Sequence, residues 1–197
     1  MIKVIIIDFE DSFVKNLSSL FKEIGYSDIS LCHHSNFDLS YITGDSLVVL
    51  GPGPGRTSDY ESFKKRVEPI IGKVPMLGVC LGHQILGEIL GFQLMQLKKP
   101  LHGKSICNPK LNEFIGIAQL KVQFYNSWAL KFDSENATKV ISRDGVVDLF
   151  HCRKAIGVQF HVESVGTNYP RELLERLLNI LYNETYGVEN QNRWNLR

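Results

Sequence analysis

The chain has 197 residues, a formal net charge of +1, 44% hydrophobic and 22% charged residues. That is enough length for one ordinary domain with a sizeable core, and its near-neutral balance gives no electrostatic grip on nucleic acid or an anionic membrane. No apolar run approaches the roughly 20 residues of a membrane span, no secretory leader is expected, and the four cysteines form neither a disulfide framework nor a zinc-ligand pattern, so a cytoplasmic protein without a bound metal is expected.

Taken in chain order, Lys3 to Ile7 is a nearly continuous apolar run, as a strand buried on both faces requires. From Ser12 to Ile24, Phe13, Leu17, Leu20, Phe21 and Ile24 recur at helical period, and Gly25 stops the helix. Ile29 to Cys32, Leu47 to Leu50 and Pro75 to Val79 read as further strands; Glu61 to Ile71 and His83 to Leu90 read as helices. Beyond Gly91 the runs shorten. Phe92–Leu97, Gln119–Phe124, Lys139–Ser142, Val146–Cys152 and Ala155–Phe160 suggest antiparallel additions. Arg171 to Tyr182 is a helix that turns Leu173, Leu174, Leu177, Leu178 and Leu181 inward, a stripe too short for a coiled coil. The expected fold is α/β: an open, mostly parallel sheet flanked by helices, with an antiparallel extension in the C-terminal half. Residues 1–187 form one domain in this reading, and 188–197 a polar tail.

Three segments carry chemistry. In the first, the strand ending at Val79 meets Cys80, with Gly78 and Gly82 two residues to either side and a helix behind. Strand, sharp turn and helix make a nucleophile elbow, and the helix N-terminus favours a negative sulfur. The second is Phe160-His161-Val162-Glu163-Ser164. A cysteine nucleophile needs a base within reach and a group to orient that base, roles His161 and Glu163 are able to fill. The third, Gly51-Pro52-Gly53-Pro54-Gly55, is a stiff loop whose glycine N–H groups are free to face a ligand. Each has an ordinary reading when taken alone: a buried cysteine, a water-satisfied histidine, a plain turn. Ligands of open α/β sheets gather at strand carboxyl ends, where all three segments fall.

In that order and spacing, GPGPG, GVCLGHQ and FHVES resemble the class I glutamine amidotransferases. The opening Asp8-Phe9-Glu10-Asp11-Ser12-Phe13 and the segment Pro100-Leu101-His102-Gly103-Lys104 resemble the members that serve chorismate-using enzymes, the glutaminase subunits of anthranilate synthase and aminodeoxychorismate synthase. The resemblance runs from about Ile2 to Leu181. It implies that Cys80 attacks the side-chain amide of L-glutamine, that backbone N–H groups of Gly53 and Leu81 hold the oxyanion, and that His161, oriented by Glu163, protonates the departing ammonia. It also implies that Gly53, Pro54, Gly55, Gln84, Ser127 and Trp128 bind glutamine. No cofactor is implied in this subunit; the implied partner is a separate chorismate-using synthase subunit, and Asp11, Ser12 and Phe13 are candidates for its docking surface. An N-cap and core role is the alternative for those three.

The chain departs from the family pattern twice. Val162 stands where proline is usual, and Asn126 where histidine is usual. Valine should loosen the turn between His161 and Glu163 without removing either group, so retained chemistry is expected. Two other functions compete: an amidotransferase for a different acceptor, disfavoured by the DSF opening and LHGK, and a non-catalytic regulatory or binding subunit, disfavoured by the intact Cys80, His161 and Glu163.

Overall fold

A computed structural model of the chain describes residues 2–132 and 139–186. Five strands run parallel: β1 (Lys3–Asp8), β2 (Ile29–His33), β3 (Ser46–Leu50), β4 (Met76–Val79) and β11 (Ala155–Val158). With antiparallel β10 (Val146–Cys152) and β9 (Lys139–Arg143) they form one sheet in the order β2-β1-β3-β4-β11-β10-β9.

The apolar runs of β1 and β3 follow from burial on both faces. Val4, Ile6 and Val49 point toward α1 (Val14–Glu23) and α5 (Pro170–Tyr186), packing with Leu17, Phe21 and the α5 leucines. Ile5, Ile7, Val48 and Leu50 point the other way, toward Phe63 of α2 (Glu61–Val67) and Ile85 and Leu86 of α3 (Leu81–Ile89). Period-two alternation within an all-apolar strand thus feeds two cores.

The C-terminal half corrects the expected layout. Ala155–Val158 is not an outer antiparallel addition: β11 pairs in parallel with β4 and sits inside the sheet. The run at 92–97 contributes only β5 (Leu94–Gln96), which pairs with β8 (Trp128–Leu130) in a separate two-stranded sheet. The run at 119–124 contributes β7 (Lys121–Phe124), paired with β6 (Lys104–Cys107) in another. A short helix, α4 (Pro109–Ile115), is capped by the Asn108 side chain and stopped by Gly116 at φ 77°. The polar tail lies outside the described residues, and within them no helix is long and apolar enough to cross a membrane.

Candidate active site

Three adjacent parallel strands end side by side. β3 runs into the Gly51–Gly55 loop, β4 into Cys80, and β11 into the segment holding His161 and Glu163. The sequence folds this way because glycine alone fits between these ends. A Cβ on Gly82 would run into the Leu50 carbonyl oxygen, and one on Gly78 would lie 2.6 Å from that of Gly82. One on Gly53 would strike a Leu81 methyl and lie 2.5 Å from the Phe9 Cβ.

Cys80 occupies the turn between β4 and α3 with φ 53° and ψ −102°. Such a backbone costs a side-chain-bearing residue on the order of 1–3 kcal/mol and persists only where its surroundings impose it. They do so here: the Cys80 N–H donates to the Val158 carbonyl at 2.9 Å, and the Gly82 N–H to the Gly51 carbonyl at 3.1 Å. Because α3 begins at Leu81, the positive end of its dipole lies directly behind the sulfur.

His161 and Glu163 are sealed from solvent and joined by a 2.7 Å contact between Nδ1 and Oε1. Phe13 and Tyr125 flank the imidazole, with ring centroids 4.9 and 5.2 Å away. Burial opposes charge on this ring, but the Cys80 sulfur and the Glu163 carboxylate more than offset it and hold His161 well above the ordinary histidine range. The other ring nitrogen, Nε2, is buried and forms no hydrogen bond of good geometry; the Cys80 sulfur is its electrostatic partner. Val162 packs fully into the core, and the turn brings Glu163 onto His161 without a proline.

A cavity of about 290 Å³ opens over Cys80. It is lined by Gly53, Pro54, Gly55, Leu81, Gln84, Ser127 and Trp128, all named as site residues from the sequence, by Asn126, singled out there as a departure from the family pattern, and by Arg56 and Tyr125, which were not named as site residues. His161 and Glu163 are not in its wall and reach the site through the Cys80 sulfur. The Arg56 guanidinium lies 4.6 Å from the centre of the Trp128 ring, a cation–π contact that no local motif announces. Both N–H groups of Gln84 are engaged inside the protein, with the Trp128 carbonyl at 2.7 Å and Gln159 Oε1 at 3.0 Å.

Of the residues singled out at the start of α1, Asp11 accepts the Phe13 N–H at 2.8 Å in a turn that precedes the helix; the N-cap position is Phe13, which no side chain caps, so neither Asp11 nor Ser12 is the expected cap, and Ser12 is exposed. Phe13 is half-buried against the imidazole. Gln123 ties the site to the Leu101–Lys104 segment: its Nε2 donates to the Gly103 carbonyl at 2.8 Å, and its Oε1 accepts from Ser164 Oγ and from the Gly166 N–H. Its own carbonyl accepts the His161 N–H at 2.9 Å.

A thiol on a strained turn at the floor of a cavity, an imidazole held by a carboxylate and a pocket edged by glycine amides are the parts needed for acyl transfer through a thioester. Comparison with known proteins gives the family. A family model described as glutamine amidotransferase class-I matches residues 5–180. The chain is 33% identical over 190 residues to aminodeoxychorismate synthase component 2 of Serratia marcescens, covering 89% of this chain and 99% of that one. It is 37% identical over 140 residues to the pyocyanine-specific anthranilate synthase component 2 of Pseudomonas aeruginosa, covering 68% and 70%. The crystal structure of a glutamine amidotransferase from Thermotoga maritima superposes with a TM-score of 0.65 at 23% identity over 98% of this chain and 86% of that one, a likeness of fold. The chain belongs to the class-I glutamine amidotransferase family.

Proposed function

We propose that this chain is a glutaminase subunit that hydrolyses L-glutamine through a Cys80 thioester and passes ammonia to a separate chorismate-using synthase subunit, one making anthranilate or aminodeoxychorismate. What supports the reading is Cys80 on its strained turn, φ 53°, at the α3 N-terminus, with its sulfur favouring charge on the His161 imidazole, whose Nδ1 is held by Glu163 at 2.7 Å. The acceptor is inferred from relatives named as component 2 of those two synthases and from the DSF and LHGK segments.

In this mechanism the sulfur adds to the side-chain amide carbon of glutamine, and the carbonyl oxygen takes the negative charge under the N–H groups of Leu81 and Gly53. The C–N bond breaks as His161 gives its proton to the nitrogen, which leaves as ammonia. Water, losing a proton to the same imidazole, attacks the thioester; the S–C bond breaks, glutamate leaves and the sulfur regains its electron pair. Glu163 keeps the imidazole in the tautomer that presents Nε2 to the sulfur. Gly53, Pro54, Gly55, Gln84, Ser127 and Trp128 hold glutamine in the cavity. The chemistry uses no cofactor in this subunit. Phe13 packs against the imidazole, and the segment Asp11, Ser12 and Phe13 is the surface we assign to docking of the synthase subunit.

Co-purification with a chorismate-using synthase subunit, followed by assays with glutamine and with ammonium salt, tests the reading. Cys80→Ser is expected to abolish glutamine-dependent synthesis and leave ammonia-dependent synthesis intact. Loss of both together, or no glutaminase activity of the wild type with any synthase subunit, would refute it.

A further inference from the structure

Gln159 is 1% exposed, precedes His161 by two residues, and has no part in the mechanism above. Its Nε2 lies 3.7 Å from the Cys80 sulfur. Its Oε1 faces Gln84, accepting from Nε2 at 3.0 Å. Heavy-atom positions do not by themselves distinguish the two ends of an amide, so the partners must decide which end faces the sulfur.

Here they decide it without ambiguity. The backbone carbonyl of Trp128 is purely an acceptor, and it receives Gln84 Nε2 at 2.7 Å and Asn126 Nδ2 at 2.9 Å. Gln84 therefore turns its NH₂ inward, one hydrogen to Trp128 and the other to Gln159. Gln159 must meet that hydrogen with its oxygen, which leaves its own NH₂ for the sulfur.

We infer that Gln159 is a catalytic residue whose side-chain amide donates an N–H to the Cys80 sulfur, its polarity fixed by a relay from the Trp128 carbonyl through Gln84. The inference deepens the proposed glutaminase function and rests on it. Sulfur carries negative charge twice in the cycle: before its electron pair forms the bond to the amide carbon, and again when the S–C bond of the thioester breaks and the pair returns. In the intervening thioester the sulfur is neutral and the N–H···S bond is weak. A buried donor of fixed polarity therefore favours the charged sulfur as nucleophile and again as leaving group. It also gives Asn126 a connection to the chemistry, because that side chain shares the Trp128 carbonyl on which the relay is anchored.

The test is the pH dependence of Cys80 alkylation by iodoacetamide, read on the Cys80 peptide by mass spectrometry so that exposed Cys107 does not contribute. It compares wild type, Gln159→Leu, Gln84→Leu and the double variant, each checked for folding by circular dichroism. Gln159→Leu is expected to slow alkylation at neutral pH about tenfold and to move the midpoint of the profile up by about one pH unit. Gln84→Leu is expected to give a smaller change of the same sign, and the double variant to match Gln159→Leu, because relay and donor act as one unit. Superimposable profiles for wild type and Gln159→Leu would overturn the inference, as would strictly additive effects of the two substitutions. If Gln159→Leu does not fold, Gln159→Met takes its place with the same expectations. Alkylation needs no glutamine turnover, so the two readings fail separately: a shifted profile in a protein with no glutaminase activity would retain the donor and remove its catalytic standing.

Discussion

Nδ1 of His161 and Oε1 of Glu163 lie 2.7 Å apart, with both side chains out of contact with solvent. A carboxylate so placed accepts a proton-bearing nitrogen and stabilises positive charge on the ring. An amide of the same shape keeps the volume and loses the charge. Glu163→Gln is therefore expected to lower glutaminase kcat by roughly 100- to 10 000-fold, with KM for glutamine changing little. Steady-state glutaminase assays in the presence of the synthase subunit check this, and a loss under threefold would mean that Glu163 is only a packing residue.

His83 supplies a second prediction. It follows the elbow, is fully buried and stacks on Phe150 with ring centroids 5.0 Å apart. Burial pushes its pKa from the ordinary 6.5 down to about 3, only partly countered by the nearby backbone of Gly157 and Val147. The native protein thus keeps the ring neutral while the unfolded chain protonates it below pH 6.5. The stabilising effect is complete above 6.5 and is lost progressively as pH falls toward about 3. Urea midpoints measured from pH 7 downward should fall more steeply for the wild type than for His83→Gln; equal slopes would contradict the assignment.

Gly82 is a position where geometry forbids a side chain. A Cβ there would overlap the Leu50 carbonyl oxygen; the clash is with backbone and no rotamer relieves it. Gly82→Ala is expected to destabilise the fold by on the order of 3 kcal/mol and to displace Cys80 from its turn. Chemical denaturation together with Cys80 alkylation measures both; a variant of wild-type stability would show that the elbow yields more readily than its packing implies.

Arg56 is the charged side chain in the wall of the cavity, and glutamine brings an α-carboxylate. If glutamine binds there as proposed, the guanidinium, held over the Trp128 ring, is expected to pair with that group. Arg56→Ala should raise KM for glutamine about tenfold and leave kcat within about twofold, since the lost contact is present in ground and transition states alike. Kinetics over a wide glutamine range decide it: a fall in kcat at unchanged KM would place Arg56 in the chemistry instead.

Much of the framework was legible in the residues, for physical reasons. β1, β3 and β4 read as strands because burial on both faces leaves an unbroken apolar run, and the elbow was visible because a turn this tight needs Gly78 and Gly82 beside Cys80. β11 was misplaced because its hairpin with β10 is local and visible, whereas its parallel pairing with β4 joins residues about eighty positions apart. α4 was missed although Asn108, Pro109 and Gly116 give the cap, first-turn proline and left-handed stop of a short helix. β6 and β8 were too short for any period to show. In the pocket, the glycine loop and Gln84 were readable from motifs, but Arg56 and Gln159 owe their places to contacts with Trp128 and Gln84, distant in the chain.

Gln123 joins the Gly103 carbonyl, the Ser164–Gly166 turn and the His161 amide through one residue. Such a junction works as a lever with a single fulcrum. The 101–104 loop is thereby linked to the backbone of His161 by a route of two hydrogen bonds that lies outside the seven-stranded sheet. A substitution at Gln123 would therefore cut the loop, the Ser164–Gly166 turn and the His161 backbone loose from one another at a stroke, leaving the reacting groups themselves unchanged.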